Sequence, residues 1–275
     1  MPKKNLSSSG QIGPLSVGNV VSASLRIYRD HFKSYFGLAL VASLWLFVPI
    51  YGSAKYSAIL GLISRLAFGE VREKPETVSD ARRQVNPRMW SFLGAGILTF
   101  LIFFGVSLVG GIAIAIVTGG ARAILGQNSP IVAVLLVVAV IAFFIIYIRI
   151  ISRLLIVEVP LAIENNIGAS SAIGRSWELT KGSVGRIQWI IFVGILVSLP
   201  ITIVVQILSS IVESVLRAVL GAESGIFFLV YFLLLLLLSF ASGALVTPFW
   251  QAMKAIIYYD LRSRKEGLGL QMRDR

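Results

Sequence analysis

Five long apolar stretches of this 275-residue chain contain no charged residue: Ser34–Ala54, Met89–Ala121, Ala123–Ile148, Ile187–Val212 and Gly225–Met253. About 20 apolar residues, each adding about 1.5 Å of helix, cross a hydrocarbon core of about 30 Å. A charge at the centre of such a span costs about 2.5–3.5 kcal/mol, so charge-free gaps are where spans belong. The last gap holds the run Phe232-Leu233-Leu234-Leu235-Leu236-Leu237-Leu238 and leads into Arg262, Arg264 and Lys265. With 56% hydrophobic and only 14% charged residues, against about a quarter charged in soluble domains, the chain excludes a water-facing fold. Backbone groups in lipid must be satisfied within their own segment, and the reading is an all-α integral membrane protein. No polar stretch is long enough for a second domain. Residues 1–15 are expected to be a flexible cytoplasmic N-terminus, 16–266 one helical transmembrane domain, and 267–275 a cytoplasmic tail. No cleavable signal peptide is expected, since no apolar core of that type precedes Lys33.

The number of spans follows from charge placement. Basic residues gather in the N-terminal segment (Lys3, Lys4, Arg26, Arg29, Lys33), in Arg72–Arg88, in Arg149–Arg186 and in the tail, whereas the connections around Gly119–Pro130 and Glu213–Gly225 hold only Arg122 and Arg217. Cytoplasmic loops carry the excess of Lys and Arg, so the four basic segments share one side. The first apolar region must then cross an even number of times, with Pro49-Ile50-Tyr51-Gly52 as its break. The sum is about six transmembrane helices with both termini cytoplasmic. The alternative is five, with one long kinked first helix, since Glu70, Glu73, Glu76 and Asp80 dilute the second basic segment.

A net charge of +12, from 25 Lys and Arg against 13 Asp and Glu, would suggest nucleic acid in a soluble chain. Placed between apolar runs, it points to membrane lipids, anionic ones, at about 1 kcal/mol per juxtamembrane cation, and away from nucleic acid. Stretches at helical spacing precede the odd-numbered spans: Val17, Val20, Val21, Tyr28 and Phe32; then Val78, Ala81 and Val85; then Ile173, Trp177, Thr180 and Val184. These are expected to lie in the interface, apolar side down. Together they give a weak threefold internal repeat of interfacial helix plus two-span hairpin. The headgroup-facing candidates are Arg26, Arg29, Lys33, Arg82, Arg83, Arg175, Lys181, Arg186, Arg262 and Arg264.

Catalytic chemistry has little to work with. The chain has no cysteine and one histidine, His31, too few for a zinc site, and neither a nucleophile elbow nor a phosphate-binding loop appears. No cofactor and no metal are expected. Ionisable residues inside membranes default to functional candidates, which singles out Arg149, Arg153, Glu158 and Lys254 as a possible intramembrane polar site. Glu213 and Arg217 have the spacing of a helix ion pair. Gly111, Ala115 and Gly119, and likewise Ser239 and Gly243, are spaced for close helix approach. Breaks at Pro49 and Pro200 would suit discontinuous spans framing a binding site.

Three segments resemble a known family: Pro14-Leu15-Ser16-Val17-Gly18 with Tyr28 and Phe32; Pro160 to Ala172 with Ser176-Trp177, Lys181-Gly182 and Arg186; and Pro248 with Tyr259-Asp260-Leu261-Arg262, Arg264 and Glu266-Gly267. In this order they are similar to the glycerophosphoryl diester phosphodiesterase membrane domain family of bacterial polytopic proteins. The resemblance implies a multi-span bundle in a bacterial plasma membrane, without established catalytic residues. The phosphodiesterase barrel fused to such regions needs a histidine pair and metal-binding carboxylates, so its activity is not carried over. The expected function is a non-catalytic membrane protein organising lipid or a protein partner, of unknown identity, at the cytoplasmic face. The alternative is a small transporter or lipid translocase.

Overall fold

The computed structural model describes residues 15–221 and 223–266; of the expected flexible segment 1–15 all but Leu15, and the whole expected tail 267–275, lie outside them. All regular structure there is helical: α1 (Val17–Asp30), α2 (Phe32–Trp45), α3 (Tyr51–Val71), α4 (Val78–Val85), α5 (Met89–Leu125), α6 (Pro130–Leu154), α7 (Glu158–Ile163), α8 (Ala169–Thr180), α9 (Val184–Leu220) and α10 (Gly225–Glu266), with a 3₁₀ turn at Asn86–Arg88. Ser16 and Thr77 start α1 and α4 by accepting the backbone N–H groups of Asn19 and Asp80, satisfying donors a helix start leaves open.

Four stretches are long and apolar enough to cross a bilayer: Val78–Leu125, Pro130–Ile163, Val184–Leu220 and Gly225–Glu266. Their most apolar windows are between 0% and 11% buried in the protein, so the chain itself leaves those faces uncovered. The remaining two expected spans are shorter. α2, at 14 residues, is about 21 Å long, and α3 carries Lys55, Arg65 and Glu70. They form an antiparallel hairpin: His31 meets Glu70 at its base and Trp45 meets Tyr51 at its tip. The chain therefore turns back at Pro49 and does not continue as one kinked helix. The turn depends on Gly52, where a Cβ would fall 1.7 Å from the Trp45 carbonyl oxygen. Ile50 beside it takes a positive φ of 60°, a costly conformation for a β-branched residue.

The long helices have two different halves, most plainly in α10. From Gly225 to Gly243 only Phe227 is buried; from Ala244 to Leu261 most residues are. α10 packs against α1, α2, α3 and α9, and its buried lower half is the axis of a compact base. Ser64 of α3 donates to Gln251 Oε1 across this core at 2.8 Å.

The amphipathic stretches are helices, as expected, but their apolar sides face the chain's own core. Val20, Val21 and Tyr28 of α1 and Ala81 and Val85 of α4 are buried in it. In α8 the inward face is Ala172, Ser176, Leu179 and Thr180, with Ile173 packed at its edge; of the expected face only Trp177 is turned out and exposed. Two further expectations are corrected. α9 runs unbroken through Pro200, although the proline ring offers no N–H to the Leu196 carbonyl one turn back. The stripe Gly111, Ala115, Gly119 meets no neighbour, and a Cβ at Gly111, Gly119 or Gly243 would have open space. The close approach of α5 to α6 is one position away, at Gly110 against the Phe143 ring.

Candidate functional site

Asp260 is the hub of the base. Its carboxylate is buried, with 6% of the side chain exposed, and it accepts the backbone N–H of Leu15 at 3.1 Å. Arg186 lies 2.8 Å from its second oxygen and also donates to the Leu15 carbonyl at 2.7 Å. Arg264, one turn along α10, donates to the first oxygen at 3.1 Å. A carboxylate out of water needs such partners, and here they come from the start of α1, the first turn of α9 and the end of α10. Leu15, expected at the edge of a flexible segment, is held in place.

A second network surrounds Glu164. Its carboxylate accepts Arg175 at 2.9 Å and the Tyr258 hydroxyl, and Arg175 also pairs with Glu266, which Arg262 grips one turn away. Burial alone would lower the Arg175 guanidinium, but hydrogen bonds to Glu266 and Glu164 outweigh it and hold the group above its ordinary value. Arg65 clasps Glu76 with two nitrogens, at 2.7 and 2.8 Å, and gives its third to the Ala162 carbonyl. Arg88 donates to the carbonyls of Leu161 and Glu164.

The headgroup candidates divide accordingly. Arg175, Arg186, Arg262 and Arg264 are engaged in these networks. Arg26, Lys33, Arg82, Arg83 and Lys181 are exposed and have no ion pair among the described residues, and Arg29, 81% exposed, touches only Asp30 at 3.4 Å. At the far end of the bundle Arg217 pairs with Glu213, which accepts the Tyr231 hydroxyl and so joins α9 to α10.

Of the four intramembrane candidates, two come together. Lys254 Nζ donates to Glu158 Oε1 at 2.5 Å, and both line a cavity of about 300 Å³ with Ser57, Leu60, Phe92, Gly96, Thr99 and Leu155. Gly61 of α3 lets the Phe92 ring come close enough to form one wall, since a Cβ there would be 2.3 Å from it. Arg153 is turned away: it stacks over Trp177 at 4.8 Å and donates to that residue's carbonyl. Arg149 is exposed on α6.

The residues that sequence reasoning missed as site members are Arg65, Glu76, Arg88, Glu164, Tyr258 and Asp260. Arg65 did carry a signal, as one charge inside an apolar region that had to find a partner. Among the described residues no group of three His, Asp or Glu is placed to hold a metal ion. Comparison with family models, curated proteins and solved structures found no match.

Proposed function

We propose that this is a non-catalytic membrane protein whose cationic base holds anionic lipid at the cytoplasmic leaflet. The observation that carries this is the division of cations: Arg65, Arg88, Arg175, Arg186, Arg262 and Arg264 are matched by carboxylates and carbonyls inside the base, while Arg26, Arg29, Lys33, Arg82, Arg83 and Lys181 stay exposed at its surface. In this reading α5, α6, α9 and α10 cross the bilayer. The α2–α3 hairpin enters and returns on the same side, because α2 is about 21 Å long against a core of about 30 Å. Leu15 and Asp260 are in contact, so the start of α1 and the end of α10 share one end of the bundle, which the concentration of Lys and Arg assigns to the cytoplasm. A bacterial plasma membrane and membership of the phosphodiesterase membrane domain family rest on the sequence resemblance. Its three segments meet at Asp260, which supports a structural role for them.

The test is the lipid shell of the purified protein in vesicles of phosphatidylcholine with increasing phosphatidylglycerol, read with spin-labelled lipids. Phosphatidylglycerol should be preferred, and replacing Arg26, Arg29 and Lys33 by Ala should lower the preference by about fivefold per residue, the equivalent of about 1 kcal/mol each. Equal selectivity in both proteins would rule the reading out. The translocase alternative draws on one observation, the polar cavity beside the apolar spans.

A further inference from the structure

The Glu158–Lys254 cavity is independent of the cationic surface and calls for its own occupant. Two opposite charges stand side by side at 2.5 Å in a cavity whose other walls are apolar apart from Ser57 and Thr99. An ammonium has three N–H donors and a carboxylate two acceptor oxygens. Among the described residues Lys254 and Glu158 make one hydrogen bond, to each other, leaving two donors of Lys254 and Oε2 of Glu158 without a protein partner. Neither side chain is sealed in: 19% of Lys254 and 26% of Glu158 remain exposed, and both line the cavity.

Position narrows the ligand. Lys254 follows directly on the charge-free stretch Gly225–Met253, so the pair lies where apolar span gives way to polar base. The α5 wall comprises Phe92, Ala95, Gly96, Thr99 and Phe103, and Ile97, Phe100, Leu101 and Phe104 of the same helix are exposed apolar residues facing lipid. Gly96 is exposed and a Cβ there meets nothing, which leaves the cavity a low wall toward the bilayer. About 300 Å³ is at the lower end for small-molecule sites, the scale of a headgroup and not of a whole lipid.

We infer that this cavity binds a zwitterion with a primary ammonium and a phosphate, the headgroup of a phosphatidylethanolamine lipid entering from the bilayer, with its ammonium on Glu158 and its phosphate on Lys254. A primary ammonium can donate to the vacant carboxylate oxygen. A quaternary one cannot, and it is normally held by a cage of aromatic faces; here the aromatic lining consists of Phe92 and Phe103. An anionic headgroup would satisfy Lys254 and set its charge against Glu158.

Native mass spectrometry of the full chain in detergent, titrated separately with phosphatidylethanolamine, phosphatidylcholine and phosphatidylglycerol, tests the assignment. Phosphatidylethanolamine should bind about tenfold more tightly than phosphatidylcholine, a difference of about 1.4 kcal/mol. Glu158→Gln and Gly96→Trp should each abolish that preference, the second by filling the cavity mouth while leaving the ion pair intact. Gly96→Trp carries the test if Glu158→Gln does not fold, and an unchanged melting temperature shows that its effect is local. Phosphatidylglycerol bound at the cationic surface should be unaffected in either variant, which separates failure here from failure of the lipid-organising reading. Soluble glycerophosphoethanolamine competing as well as the lipid would overturn entry from the bilayer. So would an ethanolamine preference that survives Gly96→Trp, or equal binding of all three lipids to the unmodified chain.

Discussion

Asp260 joins parts of the chain that lie 245 residues apart at the Leu15 contact, and no other carboxylate of the base is so deeply buried with so many partners. Replacing it by Asn would leave Arg186 facing a neutral amide in a site built for an anion. Removing one partner of a buried pair costs about 3–5 kcal/mol, so Asp260→Asn should lower the melting temperature in detergent strongly. A variant that melts with the unmodified protein would show that the hub is incidental. The sequence made Asp260 visible as part of a tail signature but not as a hub, because its partners sit in segments that spacing along the chain cannot bring together. Glu158 and Lys254 were legible, since charges beside apolar spans must be matched, whereas their pairing across 96 residues needed the fold. Arg149 and Arg153 carried the same signal and are placed elsewhere: they share one face of α6, where Arg153 is taken up by Trp177 of α8 and Arg149, one turn back, is exposed.

At the scale of elements, the charge-free gaps located α5, α6, α9 and α10 well, since apolar length is a property of the sequence itself. The faces of the short helices were less legible. In α8 the expected Thr180 does face inward, but Trp177 is exposed and Ala172 and Ser176 are buried beside Leu179, because close packing on the core accepts small side chains that a hydrophobicity pattern underrates. The α2–α3 hairpin contains two kinds of glycine, one required and one not. Gly52→Ala places a Cβ against the Trp45 carbonyl and should destabilise the turn by about 1–3 kcal/mol, as overpacking does. Gly37→Ala, in the middle of α2 with open space around its Cβ, should instead stabilise by up to about 1 kcal/mol through helix propensity. Thermal unfolding of the two variants side by side reads the contrast; destabilisation by Gly37→Ala and none by Gly52→Ala would contradict the hairpin geometry.

At the scale of the whole molecule, the described residues form a compact charged base and four long helices whose apolar surfaces the chain leaves uncovered. This division explains how a chain with 25 basic residues can carry both matched and exposed cations, and it places the ethanolamine cavity at the join between the two parts. Its central claim is that the base faces the cytoplasmic leaflet, and the native chain has no cysteine to confuse a labelling experiment. Single cysteines at Arg82 on the base, at Asn128 between α5 and α6, and at Ile50 on the hairpin tip can be probed in intact cells with a membrane-impermeant maleimide. The account predicts labelling at position 128 and none at positions 82 and 50 until the membrane is opened. Labelling of position 82 from outside would invert the molecule and remove the anionic leaflet from the account; labelling of position 50 from outside would show that the α2–α3 hairpin crosses after all.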